Sequence, residues 1–265
     1  MNLQRIWAIG HNVFRETLRD RILYLILVYL IVITGASLLL PDVSNTADFR
    51  ILLDLGLSGL NFLGLIVAIF VGTSLVNKEI EKRTVYVLIA KPMTRTEFIL
   101  GKHLGLSAMI SVLIAIMAGI YLLAVALQSN PGTFAQPSPA PYLSLLWAMV
   151  FIQLELTLIV AAGLMFGVFT SSILATLYTI ALYIVGHLSE LIRELAQLSE
   201  SQILKQVLDL VYFILPNLER LNLRNEAIYG QLPPLSEILG HGLYGLVYTS
   251  LLLTVATFIF ARRQF

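Results

Sequence analysis

The chain has 265 residues, of which 58% are hydrophobic and only 12% are charged. A soluble domain normally carries about 25% charged residues, and here the deficit is concentrated in uncharged runs of about 20 residues, the length that crosses a hydrocarbon core of ~30 Å. The composition therefore excludes an ordinary soluble domain and predicts an all-α, polytopic membrane protein, with residues 1–265 forming a single membrane domain. The net charge of +1 hides its distribution and so says nothing about nucleic acid, which we do not expect as a partner of a membrane protein. The absence of cysteine excludes disulfides, thiolate metal sites and cysteine nucleophiles.

The N-terminal segment, residues 1–21, has the pattern of an amphipathic helix. Apolar residues such as Ile6, Trp7 and Val13 recur at helical spacing, while arginines and other polar residues occupy the opposite face. We expect this helix to lie in the membrane interface, where Trp and Arg are favoured. The alternative is a simple basic flank that orients the first span. The apolar run that follows is too long for a cleavable signal sequence, so we expect the segment to be retained.

Six apolar runs predict six membrane-spanning helices. They lie near residues 22–40, 55–76, 104–127, 143–169, 173–188 and 243–261. With the N-terminus inside, twelve Lys and Arg residues fall in the inner segments and five in the outer loops, which favours cytoplasmic positions for both termini. Small residues, among them Gly56, Gly163 and Gly167, predict close helix packing, although spanning helices are rich in glycine in general.

Residues 189–242 form a predicted outer loop that is long for a compact protein, so we expect it to be structured or functional. Within it, residues 203–215 are apolar over a length typical of an interfacial or re-entrant helix. Lys205 and Asp209, one helical turn apart in this stretch, argue against a full span. A proline pair at 233–234 breaks the chain before the last span.

The sequence carries no catalytic signature. It has no zinc-protease helix motif, no nucleophile elbow and no nucleotide-binding glycine fingerprint. Any ATP chemistry must therefore come from another chain, and we predict a subunit that is not an enzyme and holds no cofactor of its own. His187 and Glu190 are spaced as a weak metal pair, but an interfacial histidine is the commoner explanation.

Glu155 is the one carboxylate inside the predicted spans. An ionisable residue within a span indicates a function by default, because burying a charge there is costly. Two roles remain open, a contact on a substrate path and a packing hydrogen bond between helices. A third explanation is a protonated side chain that is merely tolerated.

Residues 77–103 form a charged segment between the second and third predicted spans. Glu79 and Arg83 belong to a dense charge cluster where the second span ends. An apolar stretch then leads to Lys91 and Pro92, and the proline ends the helix and turns the chain.

A new helix is predicted directly after this turn. Thr94 is a plausible N-cap, and Glu97 follows at the spacing of a capping box. The pattern predicts helix, turn and helix at the inner membrane surface. The alternative is an ordinary positive-inside loop.

The run EIEKRTVYVLIAKPMTRTEFILGKHLG resembles the cytoplasmic coupling segment of type-2 ABC exporter permeases. These typically show an acidic start, an Arg or Gly followed by Thr, a Pro step and a later Gly-Lys. Val85 departs from the Gly-Thr-Leu step of many members. The amphipathic N-terminal segment resembles the family's elbow helix. The ILPNLERLN stretch resembles the outer region of permeases of the copper-enzyme maturation and gliding-motility kind.

The resemblance implies a permease subunit of an ATP-driven transporter, usually an exporter, in the bacterial inner membrane. It implies cytoplasmic ABC ATPase subunits that bind the ATP, and a second permease that is identical or related. The residues implied to contact or shape the ATPase interface are Glu79, Arg83, Lys91, Pro92 and Arg95. The rival interpretation is a non-transporting membrane subunit that relays ATPase motion to an outer partner through residues 189–242.

Overall fold

The computed structural model describes residues 2–18, 22–43, 49–81, 94–128, 141–199 and 201–262. All regular structure in this described part is helical, which confirms the predicted all-α class. The elements in chain order are α1 (Leu3–Leu18), α2 (Ile22–Val43), α3 (Phe49–Glu81), α4 (Arg95–Gln128), α5 (Tyr142–Phe169), α6 (Ser172–His187), α7 (Ser189–Leu198), α8 (Gln202–Ile214), a 3₁₀ turn (Glu219–Leu221), α9 (Arg224–Tyr229) and α10 (Leu235–Arg262).

Within the described residues, four helices are each long and apolar enough to cross a membrane, namely α3, α4, α5 and α10. The helices α6 and α7 make a fifth if the 59° bend between them is a break within one span. The first predicted span falls on α2, whose apolar described part, Tyr24–Leu40, is shorter. These helices support an integral membrane protein, and the count of six spans remains a prediction.

Three spans begin earlier in the chain than the apolar runs indicated. The helix α3 begins at Phe49 and α10 begins at Leu235. The last residues of the predicted outer loop 189–242 belong to α10, which starts directly after the proline pair. Similarly, α4 begins at Arg95 because a polar cap, rather than hydrophobicity, starts that helix.

The helix α5 lies at the centre of the fold, packed against α3, α4, α6 and α10. A Cβ on Gly163 of α5 would lie 3.3 Å from backbone atoms of Gly72 and Thr73 in α3. Gly56 of α3 similarly leaves room for the ring of Tyr121, where an added Cβ would lie 2.0 Å from the ring. A Cβ would overlap the ring at Gly56 and would crowd the α3 backbone at Gly163, so the packing role predicted for the small residues is confirmed at these two contacts.

The helix α1 packs along α4. Its residues Ile6 and Gly10 are buried, and a Cβ on Gly105 of α4 would lie 2.5 Å from the carbonyl oxygen of Gly10. Trp7, on the same predicted apolar face, is 76% exposed. The amphipathic helix is thus present, but its apolar surface is divided between α4 and the exterior. Its position in a membrane interface remains a prediction.

Candidate functional site

Glu155 lies in the middle of α5 and is only 1% exposed. Its Oε1 atom is 2.8 Å from Nε2 of His187 at the C-terminal end of α6. The other ring nitrogen of His187, Nδ1, is 3.3 Å from Oε2 of Glu219 in the 3₁₀ turn. We call these three residues the carboxylate–histidine cluster. It joins three elements that are distant in sequence.

The end of α6 is held by the segment that leads into the 3₁₀ turn. The N–H of Leu218 donates to the carbonyl of Gly186 at 3.0 Å, and a Cβ on Gly186 would lie 2.7 Å from the Leu218 side chain. The side-chain amide of Asn217 donates to Oε1 of Glu190 in α7 at 2.7 Å. These contacts fix the segment against α6 and α7, and so place the carboxylate of Glu219 beside the imidazole.

Aromatic and amide groups complete the surroundings of the imidazole. The ring of Tyr183 packs edge-on against His187 with centroids 4.6 Å apart, and the Tyr183 hydroxyl accepts a hydrogen bond from Asn61 at 3.4 Å. The hydrogen bond from His187 is the main cause that holds the pKa of the Glu219 carboxyl below its usual range. A further bond at 3.2 Å from the amide of Asn222 acts in the same direction.

A buried carboxylate paired with an imidazole suits a structural or a proton-carrying role. Burial of a lone carboxylate is costly, and a hydrogen-bonded partner reduces that cost. When His187 is protonated, both of its ring nitrogens donate, one to each carboxylate. The described ranges contain no group of three His, Cys, Asp or Glu side chains placed to hold a metal ion.

His187 and Glu190, which the sequence offered as a weak metal pair, have different partners in the structure, and the chain bends by 59° between α6 and α7. Asp54 of α3 and Glu97 of α4 also lie on long apolar helices, because both helices begin before the predicted spans. The contact between Glu155 and His187 carried no sequence signal beyond the polar character of each residue.

The charged segment 77–103 is described only at its two ends. Glu79 lies in the last turns of α3, and its side chain is outside the described part of the structure. Arg83, Lys91 and Pro92 lie outside the described residues altogether. In the sequence, the predicted interface residues therefore lie at the end of α3, at the start of α4 and between these two helices.

Arg95 begins α4 and reaches the end of α10. Its Nη1 donates to the carbonyl oxygen of Phe260 at 2.7 Å and also to that of Ala261. A cation near a helix C-terminus is favourable because the last carbonyls lack helical partners. Sequence reasoning missed this internal contact, which joins the start of α4 to the last turns of α10. A contact of Arg95 with another protein remains a prediction.

The predicted capping box at the start of α4 is confirmed. The N–H of Thr94 donates to Oε2 of Glu97 at 3.0 Å, and the N–H of Glu97 donates to Oγ1 of Thr94 at 3.3 Å. Glu97 is 2% exposed, and its Oε1 also accepts a hydrogen bond from the N–H of Asn2 at 2.7 Å. One buried carboxylate thus starts α4 and holds the N-terminal segment against it.

A family model described as ABC-2 family transporter protein matches residues 7–265. The chain belongs to this family. The match extends from α1 to the end of the chain, so the apolar helices described above form the membrane domain of an ABC-2 transporter. No curated protein matches the chain significantly. Membrane subunits of ABC-2 transporters are generally not catalytic, and the family in general implies an ABC ATPase as partner.

Proposed function

We propose that this ABC-2 protein is the permease subunit of an exporter in the bacterial inner membrane, with six spans and both termini in the cytoplasm. Two copies, or this chain and a related one, bind cytoplasmic ATPase subunits that hold the ATP. Family membership supports the permease role. The outward direction is supported by the resemblance of residues 77–103 to exporter coupling segments, and the orientation by the excess of Lys and Arg in the segments taken as inner.

The observation that carries this proposal is the length of the two helices that bound the charged segment. With 33 residues in α3 and 34 in α4, each is roughly 50 Å long, well beyond the ~30 Å of a hydrocarbon core. Each helix therefore extends beyond the core, and we place the excess at the last turns of α3 and the first turns of α4, next to the charged residues. Because α3 and α4 are consecutive spanning helices, these two ends lie on the same side of the core.

We place the ATPase contact on this extension. The segment docks in a groove of the ATPase, and its interface residues are Glu79, Arg83, Lys91, Pro92 and Arg95. The capping box at Thr94 and Glu97 sets where the second helix of the segment starts. The hydrogen bond from Arg95 to the carbonyl of Phe260 fixes the start of α4, and with it this surface, against the end of α10.

The test is co-purification of the cognate ATPase with tagged permease. Arg83→Glu should reduce the ATPase retained, because removing one partner of a buried charge pair in an interface costs roughly 2–5 kcal/mol. Lys205→Glu on α8 makes the same type of charge reversal at an exposed residue away from the segment. Equal retention by the two variants would leave residues 77–103 as an ordinary positive-inside loop.

A relay to an outer protein is a second candidate function, and α8 favours it. None of the residues of α8 is buried, and Phe213 is 88% exposed. Such an apolar surface fits either a membrane interface or a partner protein. An exporter with its ATPase in liposomes should hydrolyse ATP faster when substrate is added. A relay should respond only when the outer protein is present.

The carboxylate–histidine cluster has a packing role in this proposal. The short hydrogen bond between Glu155 and His187, and the burial of Glu155, support a contact that fixes α5 to α6. A role on the substrate path would require the carboxylate to be reached by cargo, which burial disfavours.

A further inference from the structure

A pocket of about 730 Å³ lies between α2, α3, α6 and α9, next to the carboxylate–histidine cluster. Small-molecule sites typically enclose about 300–1,000 Å³. Much of the wall is apolar, formed by side chains such as Val32, Leu55, Phe62 and Leu65. Val32 of α2 is 46% exposed and Phe62 of α3 is 63% exposed, so the pocket opens at the apolar outer surface of these two helices.

One face of α3 gives the pocket a polar stripe. Asp54, Ser58 and Asn61 follow each other at helical spacing and all line the pocket. Ser58 donates to Oδ1 of Asp54 at 3.1 Å. Asn61 is 1% exposed and donates to the Tyr183 hydroxyl, while its Oδ1 has no hydrogen-bond partner among the described residues. A buried amide oxygen without a donor costs free energy, and a ligand N–H or O–H would satisfy it.

Two opposite charges line the same pocket. Asp54 comes from α3 and Arg224 from the start of α9. No ion pair within the described part of the chain joins them. Nε of Arg224 donates to Oδ1 of Asn222 at 2.9 Å, which holds the arginine side chain in place. The pocket thus offers an anion and a cation that do not neutralise each other directly.

We propose that this pocket binds a zwitterionic amphiphile with an amine-bearing headgroup, of the phosphatidylethanolamine type. The ammonium group is recognised by Asp54 and by Oδ1 of Asn61, and the phosphate by Arg224. An acyl chain lies along the apolar side chains of α3. Opposite charges in one pocket favour a zwitterion over an anionic or a cationic lipid, since either of the latter leaves one protein charge unmatched. The statement that this amphiphile belongs to the transported cargo rests on the proposed function. The proposed binding of the amphiphile to the pocket does not.

The experiment measures lipid retention by the permease without its ATPase. The protein is reconstituted in vesicles that contain equal amounts of phosphatidylethanolamine and phosphatidylglycerol. It is then extracted in a mild detergent, and the bound lipids are identified by native mass spectrometry. We expect several-fold more bound phosphatidylethanolamine than phosphatidylglycerol. Asp54→Asn should abolish this preference, because only the ammonium group distinguishes the two lipids. Arg224→Gln should lower the retention of both lipids, because both carry the phosphate.

Matched controls and a rescue variant keep the test specific. Glu16→Gln and Arg15→Gln make the same charge changes at exposed residues of α1, which do not line the pocket, and should leave the preference unchanged. Arg224→Lys keeps the cation and should restore most of the lipid retention that Arg224→Gln loses. Size-exclusion chromatography shows whether each variant is folded.

Three results would overturn the inference. One is equal retention of the two lipids by the parent protein. Another is a preference in Asp54→Asn and a lipid retention in Arg224→Gln that both equal those of the α1 controls. The third is a loss of dimer mass in the pocket variants with unchanged lipid retention, which would make a second copy of the chain the occupant. Because no ATPase is present, each result is independent of the Arg83→Glu test of coupling. In a separate reconstitution with the ATPase, retained lipid that does not stimulate ATP hydrolysis would mark a resident lipid rather than the cargo.

Discussion

Glu155 and His187 lie 32 residues apart in the chain, and their side chains meet at 2.8 Å, with the carboxylate almost wholly buried. This bond ties the central helix α5 to the end of α6, at the point where the chain bends toward α7. The contact explains how a carboxylate is accommodated in an otherwise apolar helix, because the imidazole supplies a donor that lipid and aliphatic side chains cannot.

The first prediction concerns this pair. His187→Leu should lower the free energy of unfolding by about 3 kcal/mol, because it leaves the buried carboxylate without its partner. Glu155→Gln should cost less than about 1 kcal/mol, since an amide still hydrogen-bonds the imidazole. Thermal unfolding in detergent measures both. Glu155→Gln that folds normally but loses most transport would instead assign Glu155 to the substrate path.

The second prediction is a pH dependence carried by Glu219. Its folded pKa is lowered, chiefly by the hydrogen bond from His187, so the stabilisation is complete above the unfolded pKa. It is lost as the pH falls through the folded pKa. The difference in melting temperature between the parent and Glu219→Gln should therefore be constant near neutral pH and shrink in acid. Glu194→Gln, at an exposed residue of α7, is the control, and a difference that persists in acid would contradict the prediction.

The third prediction concerns Glu97. Glu97→Ala removes the capping box and the acceptor for the Asn2 N–H, and should lower the free energy of unfolding by about 1–2 kcal/mol. Protease cleavage between α1 and α2 should become faster as α1 loosens from α4. Glu97→Gln is the intermediate variant, because its single amide oxygen can complete the capping box but cannot also accept from the Asn2 N–H. Equal behaviour of the two variants would mean that the cap contributes little to holding α1.

The fourth prediction tests the six-span topology. Reporter fusions at Gln128 and Ser199 should report the outer side, and a fusion at Thr94 should report the cytoplasm. These expectations follow from the distribution of Lys and Arg. A cytoplasmic signal at Ser199 would exclude six spans, since it requires one span fewer or one more before α8.

The fifth prediction separates binding from coupling in the charged segment. Pro92→Ala should straighten the turn, so that ATP hydrolysis continues while transport in liposomes falls severalfold. ATPase retention should change less than in Arg83→Glu. Pro234→Ala, which replaces a proline before α10, is the control for a general effect of proline loss. Unchanged coupling in Pro92→Ala would remove the turn from the mechanism.

The sequence by itself determined the class of this protein and the approximate positions of its main apolar helices. Long uncharged runs specify spanning helices because the bilayer leaves no water for unpaired backbone groups, a constraint that acts on each segment locally. The start of α4 was equally readable, since the bonds between Thr94 and Glu97 span only three residues. Such features depend on neighbours in the chain and not on how helices pack.

Only the tertiary structure decided the partners of the polar groups. Glu155 meets His187, Arg95 meets the end of α10, and Asn61 faces the same pocket as Arg224. Each of these relationships depends on how closely helices approach, which is set by crossings such as the one at Gly163, and on the bend after His187. The polar spacing of Asp54, Ser58 and Asn61 on α3 was visible in the sequence. That it lines a pocket was not, because the opposite wall comes from helices far away in the chain.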